Sequence, residues 1–157
     1  MSSPTEMTPR QRNDFMIAKI RSEGVSPHRE GGYALRVLSV TGRVTGRPRH
    51  WPIAVVQLGG QRYLCAPNRR RDWVRNLLAA GWCALEGDDP ARQDVTLVED
   101  DGAAEVVAAY LRALGRPSTM WPFPSDAPAR VIREHAREIA VFRLESSQVP
   151  PVDLTDP

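Results

Sequence analysis

The chain has 157 residues, 41% of them hydrophobic and 25% charged, with a formal net charge of +2. That length suits one domain around one sizeable core, and so balanced a charge excludes a uniformly basic nucleic-acid binder, so the basic residues matter only where they cluster. Cys65 and Cys83 form no Cys-x-x-Cys pair, and His28, His50 and His135 are scattered without His-Glu-x-x-His spacing, so neither a disulfide scaffold nor a metal site is expected.

Thr8-Pro9 reads as a helix N-cap followed by proline at the first helical position, with Phe15, Met16, Ile17 and Ile20 as an apolar face and Gly24 as the stop. Ser26 to Gly32 is loop. Ala34 to Val40, interrupted by Arg36 and Ser39, is the first expected strand; Trp51 to Leu58 is the second, and Gly59-Gly60 turns it into the third, Gln61 to Ala66. Asp72 to Ala80 is a short helix stopped by Gly81, with Asp72 as its expected N-cap. Strands at Trp82 to Glu86 and Gln93 to Glu99 follow, joined through Gly87-Asp88-Asp89-Pro90. In the latter strand Val95 and Leu97 face one way, Asp94, Thr96 and Val98 the other. Asp101 is expected to cap a helix to Leu114 with a half-buried Tyr110. A proline and aromatic loop (Arg116 to Ser125), a weaker helix (Asp126 to Arg137) and a last strand (Ile139 to Leu144) complete the order.

Hairpin-linked strands with interspersed helices give an α+β class and an antiparallel sheet or small barrel decorated by helices. One domain is expected over residues 1–146, its first 30 residues being helix and loop, with a frayed tail at 147–157. The first residues carry Glu6 and Asp14 and no apolar run, and no window has the ~20 apolar residues of a membrane span, so a soluble cytoplasmic protein is expected.

Of the 21 basic residues only Lys19 is a lysine, so position rather than number carries the information. Thr41 to Arg49 holds Arg43, Arg47 and Arg49 with Gly42, Gly46, Thr41 and Thr45. Glycines permit positive φ and close approach, and guanidinium forks suit phosphate or carboxylate oxygens. On this segment alone an anion cradle and an ordinary basic hairpin explain the residues equally well. Asn68-Arg69-Arg70-Arg71 precedes the Asp72 helix, where free N–H groups attract anions. If the flanking strands are neighbours, both arginine segments leave one sheet and enclose one multiply charged ligand.

Leu38-Ser-Val-Thr41-Gly-Arg-Val-Thr-Gly-Arg-Pro-Arg49, the Trp51-Pro52 strand, the Gly59-Gly60 hairpin and Asp72-Trp-Val-Arg-Asn-Leu-Leu78 together resemble the deazaflavin-dependent nitroreductase family. The resemblance covers Leu35 to Glu86, with a weaker echo in Ile139 to Leu144. It implies an antiparallel split β-barrel, of the type that also binds FMN, with flanking helices, and it implies the deazaflavin coenzyme F420. It further implies that Arg43 and Arg49 bind the coenzyme's phosphate and oligoglutamate tail, with Thr45 and Arg47 in the same segment, and that Pro52 lies beside the ring. Ala66, Asn68 and Arg69 would contact the deazaflavin and its phosphate, with Trp73 and Asn76 near the coenzyme. Val44 stands where the family usually has lysine, removing one cation from the tail site. The tyrosine-rich substrate region of nitroimidazole-reducing members has no counterpart, so that activity does not carry over.

The expected activity is hydride transfer between reduced coenzyme and a small organic acceptor. The coenzyme would supply the reactivity and the protein the orientation and exclusion of water. No side chain is assigned as acid or base; Tyr110, His135 and Trp121 are candidates for the substrate side. The alternative is a non-catalytic or FMN-dependent split-barrel binding protein. No nucleic-acid partner is expected, and the chain is expected as a monomer or homodimer.

Overall fold

A computed structural model describes residues 7–147; of the expected tail, 148–157 lies outside the described residues. Helix α1 (Pro9–Glu23) starts as its sequence dictates. Thr8 Oγ1 accepts from Gln11 N at 3.1 Å, and Thr8 N donates to Gln11 Oε1 at 2.9 Å, closing a capping box. Its buried face is narrower than expected: Ile17 and Ile20 are covered, whereas Phe15 is 48% exposed.

Six strands follow: β1 (Tyr33–Thr41), β2 (Pro48–Leu58), β3 (Gln61–Ala66), β4 (Trp82–Leu85), β5 (Arg92–Leu97) and β6 (Ala140–Ser146). They form a closed antiparallel barrel in the order β1-β2-β3-β6-β5-β4. Helix α2 (Asp72–Ala80) lies between β3 and β4, and α3 (Gly102–Leu114) and α4 (Ala129–Arg133) between β5 and β6. The α+β barrel with flanking helices is therefore the architecture of this chain.

The alternation of strand residues sorts the core into three clusters. Leu38, Val40, Val55, Leu64, Leu85 and Phe142 fill the barrel interior, into which α2 inserts Trp73, Val74 and Leu77. Cys65 and Val141, one position out of phase, face outward and are covered by α3, α4 and the loop residues Trp121 and Phe123. Val37 and Leu35, also outward, lie under Ile17 and Ile20 of α1. Because both faces of β1 are covered, its sequence is a nearly continuous apolar run rather than an alternating one.

Arg36 interrupts that run and is nevertheless only 2% exposed. Its Nε donates to Asp88 Oδ1 at 3.0 Å, while Nη1 and Nη2 donate to the carbonyls of Leu35 and Ser26 at 2.8 and 2.6 Å. His28 Nε2 lies 3.1 Å from both Asp88 oxygens. This buried network ties the loop after α1 to the turn between β4 and β5.

Several boundaries differ from expectation. β2 begins at Pro48 because Pro48 and Arg49 pair with Thr41 and Val40, leaving a tighter connection. Arg71, not Asp72, is the N-cap of α2, and no side chain caps it. At α3, Asp101 holds the N-cap position, but Asp100 Oδ1 accepts from Gly102 N at 2.9 Å. The expected helix over Asp126–Arg137 shrinks to Ala129–Arg133, because the chain then continues in three-residue turns from Glu134 to Glu138.

Candidate functional site

The site begins in the connection between β1 and β2. Gly42 N donates to Arg47 O and Gly46 N to Gly42 O, both at 2.8 Å, so the loop folds back tightly on itself. Gly46 has φ +74°, the left-handed region expected for glycine. Gly42 does not adopt positive φ; it is needed for space. A Cβ there would meet Arg47 O at 3.1 Å and Thr45 Oγ1 at 3.3 Å.

Asn76 joins the two arginine segments. It is 3% exposed on the inner face of α2, and its Oδ1 accepts from Arg43 N at 3.1 Å and Arg43 Nη1 at 2.8 Å. Arg43 Nη2 also reaches Asp72 Oδ1 at 3.4 Å, a loose contact with an exposed carboxylate. The β1–β2 loop and the start of α2 are thus in direct contact, across 33 residues of sequence. Between them lies a cleft of about 170 Å³ whose walls include Arg43, Thr45, Arg49, Trp51, Asp72 and Asn76. Arg49 forms no ion pair or hydrogen bond of its side chain among the described residues, so its guanidinium is available to an anion.

A second pocket, of about 340 Å³, is lined by the next residue along in β2 and in α2. Trp51 and Asp72 line the cleft; Pro52 and Trp73 line the pocket. Its other walls include Ala54, Cys65, Tyr110 and Trp121 together with Arg71 and Arg116. Tyr110 and Trp121 meet with ring centroids 5.9 Å apart, and Trp121 meets Phe123 at 5.7 Å. The aromatic loop after α3 therefore does two things: Trp121 and Phe123 cover the outer core, and Trp121 also faces the pocket. Burial pushes the Tyr110 phenol up to about 12, so it is neutral at physiological pH. Burial likewise raises the Cys65 thiol far above its ordinary range, leaving it an unreactive apolar wall.

The remaining predicted residues make contacts of their own. Ala66 is fully buried in the barrel interior and pairs with Ala140. Asn68 Oδ1 accepts from Arg70 N at 2.8 Å, which shapes the loop before α2. Arg69 donates from Nε to Ile139 O at 2.5 Å and from Nη2 to Ala136 O at 3.0 Å, holding the start of β6. Asn68 and Arg69 line a third depression, with Arg70, Trp121 and Arg137. Thr45 Oγ1 accepts from Arg47 N at 3.2 Å and so stabilises its own turn; Arg47 is exposed on that turn, and Val44 is 85% exposed. His135 does not line the aromatic pocket; its ring meets Phe123 at a tilt, centroids 5.4 Å apart, and its Nδ1 lies 3.0 Å from Glu138 Oε2. Arg116 does line the pocket, yet nothing around it in the chain marks it as a site residue.

No family model matches the sequence, and no curated protein does. Among solved structures the barrel is similar to an F420 reductase, with 16% identity, a TM-score of 0.45, and coverage of 70% of this chain and 83% of that one. A candidate 5-nitroimidazole antibiotic resistance protein from Bacteroides thetaiotaomicron gives 11% identity, a TM-score of 0.48, and 88% and 80% coverage. A haem-binding protein from Mycobacterium smegmatis gives 18% identity and a TM-score of 0.42, over 88% of this chain and about half (52%) of its own length. No functional likeness follows at these values, and the fold class rests on the strand order and register of this chain.

Among the described residues no three His, Cys, Asp or Glu side chains gather as a metal site, and no helix is long and apolar enough to cross a membrane.

Proposed function

We propose that this protein binds the deazaflavin coenzyme F420 and transfers a hydride between it and a small organic acceptor. The observation that carries this reading is the junction of the two arginine segments. Arg43, locked by Asn76, and the unpaired Arg49 line one cationic cleft, and the residues that follow Trp51 and Asp72 of that cleft line an aromatic pocket. A coenzyme with a phosphate and several carboxylates at one end and a planar ring at the other needs both halves, side by side.

The residues present fit such a group. Gly42 keeps the loop free of a Cβ that would crowd Thr45 and Arg47, and Arg49 offers a guanidinium with no internal acid to neutralise it. Arg43 and Arg49 would hold the anionic end, and Pro52 and Trp73 would flank the ring. When bound, the deazaflavin supplies a hydride. The protein's part is to exclude water with Trp73, Tyr110 and Trp121 and to offer the neutral Tyr110 phenol as a hydrogen-bond donor toward the acceptor.

Titration of the protein with F420, followed by tryptophan fluorescence, tests the reading, because Trp51 and Trp73 line the two halves. Saturable quenching at micromolar coenzyme is expected. Its absence would sink the proposal, and tight binding of FMN in its place would favour an FMN-dependent or purely binding role.

A further inference from the structure

The aromatic pocket contains two cations that the coenzyme reading leaves unused. Arg71 enters it from the N-cap of α2, and Arg116 from the loop just beyond α3. Among the described residues neither guanidinium makes a hydrogen bond or ion pair, and no lining residue is acidic. Three other arginines of the chain are satisfied internally: Arg36 by Asp88, Arg43 by Asn76, Arg69 by backbone carbonyls.

Both charges are felt at the Tyr110 phenol, where each acts to ease ionisation against the dominant effect of burial. Arg71, Arg116 and Tyr110 all line this one pocket. Facing them are the apolar and π-faced walls of Pro52, Ala54, Trp73 and Trp121. A volume of about 340 Å³ is at the small end for organic ligands, which run from ~300 Å³ upward. Two forks with no counter-charge beside flat aromatic walls select an oxyanion on a small planar body.

We propose that this pocket binds a small conjugated carboxylate, an aromatic or α,β-unsaturated acid, with the carboxylate on Arg71 and Arg116 and the planar body against Tyr110 and Trp121. As the acceptor of the reaction, such an acid rests on the coenzyme reading above. Its binding does not, since the pocket and its charges are present in the protein alone.

The test is a fluorescence titration of the coenzyme-free chain with benzoate, trans-cinnamate and 2-naphthoate, each set against its neutral amide. At least one acid is expected to bind saturably and at least tenfold more tightly than its amide. Arg116→Gln, on an exposed loop, and the double variant with Arg71→Gln are expected to remove that preference while the amide's affinity stays as it was. Arg112→Gln, on α3 just before that loop and outside the pocket, is expected to retain it. The proposal is overturned if none of the acids binds below millimolar concentration, if amides bind as tightly as acids, or if Arg116→Gln keeps the full preference. Should Arg71→Gln not fold, Arg116→Gln decides alone. Loss of F420 binding with acid binding intact would remove the coenzyme reading and leave this site standing.

Discussion

Arginine at Arg49 and arginine at Arg69 differ in what they have left to offer. Arg69 spends its guanidinium on two carbonyls near the start of β6, whereas Arg49 lines the cationic cleft unpaired. Arg49→Ala is accordingly expected to weaken F420 binding by about 1.5–3 kcal/mol, roughly 10- to 150-fold, the worth of a charge-assisted contact. The same titration by fluorescence measures it, and unchanged affinity would mark Arg49 as plain surface. Asn76→Ala should act twice. It strips Arg43 of its buried acceptor, costing about 1–3 kcal/mol of stability in a urea melt, and it loosens Arg43 enough to raise the coenzyme dissociation constant.

Among the elements, the β1–β2 connection depends on backbone shape as much as on charge. Gly46 sits at φ +74° with open space around its Cβ position, so Gly46→Ala introduces strain without a clash. A loss of about 1–2 kcal/mol is expected from the left-handed conformation alone, read as a lower urea midpoint; no loss would mean that the loop has another conformation. Stability depends still more on the turn between β4 and β5. Asp88 neutralises Arg36 at a position where both side chains are at most 8% exposed. Asp88→Ala would leave a buried guanidinium without its counter-charge and is expected to destabilise the protein by about 3–5 kcal/mol. That connection was visible in the sequence only as a turn, because its partner Arg36 lies 52 residues away.

For the whole molecule, the same network makes stability depend on pH. Burial lowers the pKa of His28 below its ordinary 6.5, with Arg62 and Arg36 acting in the same direction and Asp88 against them. The unfolded chain therefore takes up a proton at His28 before the folded one does. The resulting stability is fully present above about pH 6.5 and declines as pH falls from there toward the lower folded value. Urea midpoints measured from pH 8 to 5 should fall over that interval, and His28→Gln should flatten the fall. Closure of the barrel through Leu38↔Leu85 and Ser39↔Ala84 is also a property of this scale, since two short pairings join strands that are separated by β2, β3 and α2.

Local signals in the chain suffice for the elements and for the chemistry of the cradle. Glycine punctuation, the Thr8-Pro9 helix start and two-residue alternation are local signals, and they placed α1, α2, the Gly59-Gly60 hairpin and the strands to within a few residues. Guanidinium chemistry at Thr41–Arg49 was equally local. Which arginines remain free depends instead on how the barrel packs. Asn76 claims Arg43, the carbonyls of residues 136 and 139 claim Arg69, Asp88 claims Arg36, and Arg49, Arg71 and Arg116 are left facing clefts. A hydrogen bond has no signature in the chain when its partners are 30 to 70 residues apart; it exists only once the barrel has brought them together.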